Sequence, residues 1–491
     1  MSSERRILAL GVAALLSSAC ASRTSPQPPE FPSGGLLARS TPPPNPYSLQ
    51  NVMEGVYDTS SRFGSNVVVH ASQWGGLSDG MKASVAILGY DHFGFAILQP
   101  GCFTDTTVTP PETRLVLEGY WRYLDETDPT PSSTGLVRLF VGPASIIQYV
   151  CGAPAWSPAN GPGDSRPAPS DRPFLTGATG GGTDVPGLPI DVTWNRPRKS
   201  RLNADGVRTF LVGVHHGACQ TSMNCGISEN TPETAIMATQ LQGEYMEIDI
   251  RMTKDQVPVF FHLGLYPGVV QGTYCTGMVE DYTYAELVAN CRLRNGEIIP
   301  RVVDMLTYIY TRTNLPTYLD SKTTDVIVPV SQILKTLSET IVACPTGVPP
   351  PGSPLGTKCL FPGSNPISQR AYIGLPNQDS VNTYSAALAA GQLWSEQRCL
   401  VEEDVNEAIS LPCAAWMPRY TRGPMTADVL NAQQQGLFVG FWTINDPATM
   451  DAFMTRAVPN GFLTNYLGLA NQRFEEIGIV PPYTPFRVGS P

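Results

Sequence analysis

Short apolar runs, each ending in a polar or charged residue, recur through the second half of this chain. They predict strands near residues 209–215, 245–250, 257–262, 315–321, 370–375, 397–402, 414–418, 437–443 and 461–465. Helical stretches are predicted over Asp325–Val342, Ser380–Leu393, Ala427–Gln435 and Ala448–Ala457. Strands alternating with helices build βα units around a parallel sheet, an α/β fold, here over residues 201–485. Segments 397–402 and 414–418 carry the weakest strand signal. The first half reads differently. Runs at Asn66–Val69, Ser84–Leu88, Phe93–Leu98, Leu115–Trp121 and Leu136–Val141 are separated by turn residues. They predict a small all-β sandwich or barrel over residues 47–156, of open role. Within it Tyr120-Trp121-Arg122-Tyr123 reads as packed core, with a binding face as the alternative. Residues 157–200, dense in Pro and Gly, read as a linker, and the Pro/Ser-rich residues 21–46 as a tether.

Residues 1–20 are a targeting segment. Arg5-Arg6 precede an apolar run from Ile7 to Leu16, and Ser17-Ser18-Ala19-Cys20 follows. The run is too short to span a bilayer. Small residues directly before a cysteine resemble a bacterial lipoprotein signal, with Cys20 lipidated and serving as a membrane anchor in the cell envelope. Ordinary secretion is the alternative. Either way the protein is expected to be exported. Setting Cys20 aside, the 11 cysteines leave ten, an even number that in an exported chain suggests disulfides. Nearest neighbours would pair Cys102 with Cys151, Cys219 with Cys225, Cys275 with Cys291, Cys344 with Cys359 and Cys399 with Cys413. No Cys-x-x-Cys occurs, which argues against a zinc site built of cysteines. The net charge of −10 over 491 residues, without a basic cluster, argues against nucleic acid as a partner. Gly 45 and Pro 46 imply many turns and loops.

The chemistry gathers between His215 and Lys322. In Glu244-Tyr245-Met246-Glu247-Ile248-Asp249-Ile250, strand alternation puts Glu247 and Asp249 on one face and the apolar residues on the other. In a parallel sheet both faces are buried, and two buried carboxylates side by side are costly. A hard divalent cation such as Ca²⁺ or Mg²⁺ removes the conflict. An edge strand with one solvated face is the alternative. Asp320 and Lys322 share a face at the end of another strand, offering a third carboxylate and a phosphate-neutralising ammonium. His215 and His262 end the runs Phe210–Val214 and Val259–Phe261, where histidine can take or give a proton near neutral pH.

The ordered series His215-His216-Gly217, Glu229-Asn230-Thr231, Glu247-x-Asp249, Thr253-Lys254-Asp255-x-Val257-Pro258-Val259 and His262 resembles the glycerophosphodiester phosphodiesterase family. Gly440–Asn445 and Gly461–Tyr466 resemble its closing strands. The similarity covers roughly residues 205–475. It implies a TIM (β/α)₈ barrel preceded by the small β domain, with the site at the C-terminal strand ends. It implies His215 and His262 as acid–base pair. Glu247, Asp249 and Asp320 would bind one divalent cation, Ca²⁺ ahead of Mg²⁺. Lys322 and His216 would contact phosphate, Glu229 would help build the pocket, and Trp442 would form its wall. The chain departs from the family in places. His216 stands where the family has arginine, and Leu263 where it has aspartate. Gly264-Leu265-Tyr266-Pro267-Gly268 replaces a polar segment, and the loop from Gly217 to Ser228, with Cys219 and Cys225, is longer.

The expected activity is hydrolysis of glycerophosphodiesters to glycerol 3-phosphate and an alcohol. The apolar run after His262 keeps open a phospholipase D-like cleavage of lysophospholipid or sphingomyelin on the same barrel. The departures at His216 and Leu263 keep open a non-catalytic surface scaffold.

Overall fold

The structure, a computed structural model, describes residues 40–477 apart from 60–65, 78–79, 90–93, 123–133, 158–170, 183–188, 200, 202–209, 217–226, 268, 273, 412 and 458. The leader, Cys20 and the Cys219–Cys225 pair lie outside the described residues.

Eight strands close an antiparallel barrel in chain order. They are β1 (Gly55–Thr59), β2 (Asn66–Gly76), β3 (Gly80–Leu88), β4 (Phe95–Asp105), β5 (Glu112–Arg122), β6 (Thr134–Gly142), β7 (Phe174–Gly182) and β8 (Pro189–Arg196). Alternation explains the apolar run at Val67–Val69. Val67, Val69 and Ala71 point into this barrel with Ile87, Leu98, Leu117, Trp121 and Leu139. Val68, Ala86, Leu88 and Ile97 point outward, yet they too are buried, within the core of the second unit. Helices α1 (Tyr47–Met53) and α2 (Ala144–Cys151) add Leu49, Val52, Met53, Ile146 and Val150 to the small barrel's core. Trp121 faces this interior, which favours the core reading of its segment.

Two expectations are corrected. The stretch 157–200 is not only a linker, because β7 and β8 complete the barrel there. Glycines erase the alternation of β7, whereas β8 alternates Ile190, Val192 and Trp194 with polar residues and is obscured only by the Pro and Gly around it. The end of the tether is also held: Thr41 pairs with Cys102, and Trp156 N donates to Pro44 O at 2.9 Å.

The second unit begins with β9 (Leu211–Val214), α3 (Pro232–Gln240), β10 (Tyr245–Met252) and β11 (Pro258–Phe260). A small ladder of β12 (Val270–Gln271) with β13 (Arg292–Leu293) embraces α4 (Tyr284–Asn290). Next come α5 (Val302–Arg312), β14 (Thr317–Ser321), α6 (Ile327–Thr340) and the ladder of β15 (Ile341–Val342) with β16 (Lys358–Cys359). The chain continues through β17 (Ala371–Leu375), α7 (Gln378–Ala389), β18 (Arg398–Val401), α8 (Val405–Ser410) and β19 (Ala415–Trp416). It ends with α9 (Thr426–Gln434), β20 (Phe438–Phe441), α10 (Pro447–Ala452), β21 (Gly461–Thr464) and α11 (Leu467–Glu476). Helix α5 shows why such segments are helical: Val302, Met305, Leu306, Ile309 and Tyr310 recur at three- and four-residue spacing and are all buried.

Strands β9, β10, β14, β17, β18, β19, β20 and β21 pair in parallel, and β9 returns to β10, closing an eight-stranded barrel. The surplus among the nine expected strands is 257–262, not 397–402 or 414–418. β11 runs antiparallel to the end of β10, pairing Ile250 with Phe260, and stays outside the ring. The weak strands β18 and β19 are ring members, with Cys399 in β18 bridged to Cys413 just before β19. Disulfides Cys102–Cys151, Cys275–Cys291 and Cys344–Cys359 also form as expected. No helix among the described residues is long and apolar enough to cross a membrane.

The two barrels share a wall. β2 packs against α3, α5 and α11. Buried Glu475 at the end of α11 accepts hydrogen bonds from Arg196 Nη1 and Arg198 Nε, both at 3.0 Å, and from the Lys199 backbone.

Candidate active site

Alternation along the parallel strands builds the site. On β10, Met246, Ile248 and Ile250 join the core beneath the helices, while Tyr245 fills the barrel interior and Glu247 and Asp249 follow it on the same face. On β14, Tyr318 faces inward and Asp320 and Lys322 continue its row. The interior floor is apolar, from Tyr245, Tyr318, Leu400, Met417 and Leu463. Polar residues therefore collect one layer higher, at the C-terminal strand ends.

Oxygens of Glu247, Asp249 and Asp320 converge within 4.8 Å of one another. All three side chains are buried. Lys322 Nζ lies 2.8 Å from Asp249 Oδ1 and also contacts Asp320. Glu247 Oε1 and Asp320 Oδ1 are buried without a hydrogen-bond partner. Asn230, in the left-handed region at φ 57°, clamps Asp249: its Nδ2 donates to Asp249 Oδ2 at 2.9 Å, and its Oδ1 accepts from Asp249 N at 3.1 Å. Burial and then the Asp249 charge push Glu247 well above the usual carboxylate range. Burial likewise raises Asp320. Burial opposes ionisation of Asp249 too, but the His216 and Lys322 charges outweigh it and hold Asp249 low. Three crowded oxygen donors, two with orphaned oxygens, suit a hard divalent cation.

His215 ends β9. Its Nδ1 lies 3.0 Å from Asn465 Oδ1, so Nδ1–H donates and Nε2 is left facing the carboxylates, 3.9 Å from Glu247 Oε2. Burial and the neighbouring His216 hold its pKa well below 6.5, so it is neutral at pH 7. His262, after β11, is pushed down to about 4, chiefly by burial. Between them lies His216, at φ 50° and 1 % exposed. Its ring stacks on His215 at 3.7 Å and approaches His262 at 4.0 Å between centroids. Burial would lower His216, but Asp249, Glu247 and Glu229 prevail and raise it to about 9. This burial leaves His216 little open surface toward a substrate phosphate. Its Nδ1 faces Glu229 Oε2 at 3.6 Å, and its Nε2 faces Asp249 Oδ2 at 3.4 Å. Trp442 stands beside His215, with ring centroids 6.5 Å apart and Nε1 donating to Met417 O.

All nine side chains expected at the site are thus brought together. Three others escaped the sequence reading. Asn230 and Asn465 lie inside quoted motifs but were given no role. Glu402, one residue past β18, is buried and bonded by the Tyr318 hydroxyl, and burial and Asp320 raise its pKa well above the usual range. Its signal is a carboxylate ending the apolar run Cys399-Leu400-Val401, one of the two weakest strand signals in the chain.

No protein-family profile matches this chain. Solved structures similar to it include glycerophosphodiester phosphodiesterases. One from Parabacteroides distasonis is 16 % identical, covers 55 % of this chain and 98 % of its own, and has a TM-score of 0.40. One from Agrobacterium tumefaciens is 15 % identical over 54 % of this chain and 99 % of its own, with a TM-score of 0.39. A phosphodiesterase from Oleispira antarctica, in complex with its product sn-glycerol-3-phosphate, is 17 % identical over 54 % of this chain and 96 % of its own, at 0.39. At such scores the likeness does not decide function; the side chains must.

Proposed function

We propose that this protein is a metal-dependent phosphodiesterase that hydrolyses glycerophosphodiesters to glycerol 3-phosphate and an alcohol. One observation carries the reading: two histidines, three buried carboxylates and a lysine converge at the C-terminal ends of parallel barrel strands.

Glu247, Asp249 and Asp320 would hold the cation, Ca²⁺ ahead of Mg²⁺ because its oxygen shell tolerates irregular geometry. Such a cation, when bound, polarises the phosphoryl group and offsets the charge of the transition state. Asn465 fixes the His215 tautomer, so Nε2 is the atom that takes the nucleophile's proton. The nucleophile is water or a neighbouring hydroxyl of the substrate. His262 returns a proton to the leaving alkoxide, and the arriving phosphate anion favours its imidazolium form. Lys322, a quarter exposed, reaches the rim and neutralises a phosphate oxygen. His216 adds positive charge beneath the carboxylates. The leader and the paired cysteines support an exported location, with Cys20 as the lipid attachment point.

A second reading, cleavage of lipid-derived diesters, has its own support. Leu263, Tyr266, Tyr274 and Met278 are exposed on the segment that follows His262, Tyr274 at 74 %. An apolar rim suits acyl chains.

Purified protein is assayed on glycerophosphocholine with Ca²⁺ or chelator, beside His215→Ala and Glu247→Ala. Cation-dependent release of glycerol 3-phosphate, lost in both variants, is expected. Cleavage of lysophospholipid or sphingomyelin alone would favour the second reading, and no turnover on any diester would sink both.

A further inference from the structure

We propose that His216, Glu229 and His262 form a second metal site, adjoining the carboxylate cluster, that takes a borderline transition ion such as Zn²⁺. One donor atom from each of the three lies within 4.8 Å of the others. In a tetrahedral zinc site with bonds near 2.0–2.1 Å, donors stand about 3.3 Å apart. The His216 Nδ1 to Glu229 Oε2 distance of 3.6 Å is already close to that. His216 is almost wholly buried, with Nδ1 3.6 Å from Glu229 Oε2 and Nε2 3.4 Å from Asp249 Oδ2. Zn²⁺ can meet the Glu229-facing nitrogen in place of the proton that these carboxylates otherwise hold on the ring.

The donor sets separate the two sites chemically. Glu247, Asp249 and Asp320 offer only oxygen, which suits hard ions, whereas two imidazoles and one carboxylate suit Zn²⁺ and bind Ca²⁺ poorly. Two histidines with one glutamate leave a fourth position for water or a phosphate oxygen. The sequence departure at His216 creates the site: the arginine of the resembling family is a fixed cation and cannot be a ligand. Because the site uses His262, Zn²⁺ bound there withholds that ring from proton transfer. Inhibition by Zn²⁺ follows, a consequence that rests on the proposed function, whereas binding does not.

The test uses the full chain, stripped of metal and held in excess Ca²⁺. Zn²⁺ is titrated calorimetrically, and zinc-edge X-ray absorption counts imidazole ligands. One Zn²⁺ per chain with two imidazoles is expected, with affinity at least about tenfold weaker in both H216R and E229Q. Thermal melts and Ca²⁺ titration show that each variant is folded. Unchanged affinity in both folded variants, displacement of Zn²⁺ by Ca²⁺, or a zinc shell without imidazole would each overturn the proposal. If diester turnover is present, micromolar Zn²⁺ slows wild type more than H216R. If turnover is absent, the binding result still decides.

Discussion

Replacing Asn465 by leucine tests the central geometry. Asn465 is 8 % exposed, and its Oδ1 accepts the His215 Nδ1 proton at 3.0 Å. A neutral hydrogen bond of this kind contributes about 0.5–1.5 kcal/mol, and stranding the buried N–H costs about 1–3 kcal/mol more. The ring would also be free to exchange tautomers, removing the lone pair from Nε2 part of the time. If about 1–3 kcal/mol of this falls on the transition state, kcat drops about 5- to 150-fold. KM should barely move, because Asn465 orients a base and does not hold substrate. The assay is steady-state hydrolysis of glycerophosphocholine from pH 5 to 9 in saturating Ca²⁺, with melts as fold controls. Asn465→Asp restores the acceptor and adds a negative charge beside His215. Its kcat should recover at high pH. The charge favours imidazolium, so the acid limb, held below 6.5 in the wild type by burial, moves to higher pH. A folded Asn465→Leu variant with kcat within about twofold of wild type, or one changed only in KM, would refute the orientation argument.

Other outcomes follow from the frame. Glu475→Gln removes the charge that two arginines share at the inter-barrel wall. Arg198 keeps Glu54 at 3.5 Å and the half-exposed Arg196 rehydrates, so denaturant titration should show a loss of about 1.5–3 kcal/mol. Opening the Cys344–Cys359 bridge by double serine substitution should cost about 3 kcal/mol for its short loop, read as a lowered melting temperature; no change would mean the loop is equally ordered without it. Glu54 at the same wall is pulled below its ordinary 4.5 by His70 and Arg198, against burial. A lowered folded-state pKa stabilises above the unfolded value and is lost as pH falls through the folded one, so wild type should lose more stability than Glu54→Gln below pH 4.5. Parallel losses in the two proteins would exclude Glu54 as the source.

Glu247, Asp249, Asp320 and Lys322 were legible because strand alternation is strict and their neighbours are strongly apolar. The cysteine partners were legible because the bridges are local in sequence, spanning 14 to 49 residues. What misled was length. Two-residue β19 carries almost no pattern of its own, whereas 257–262 is apolar because β11 is buried outside the ring. β7 is hard to read because glycines leave pairing, not composition, to define it, and β8 because Pro/Gly-rich flanks outweigh its Ile190, Val192, Trp194 alternation. Asn230 and Asn465 act by bonding residues far along the chain, contacts that only the closed ring creates.

The outward faces of β2, β3 and β4 have a practical consequence. Val68, Ala86, Leu88 and Ile97 belong to the larger barrel's core, so cutting the chain near residue 200 would bare a sticky surface on both fragments. Neither half is a portable module. Truncation libraries that keep only the larger barrel should yield aggregates, and grafting it onto another carrier would require redesigning the outer sides of α3, α5 and α11.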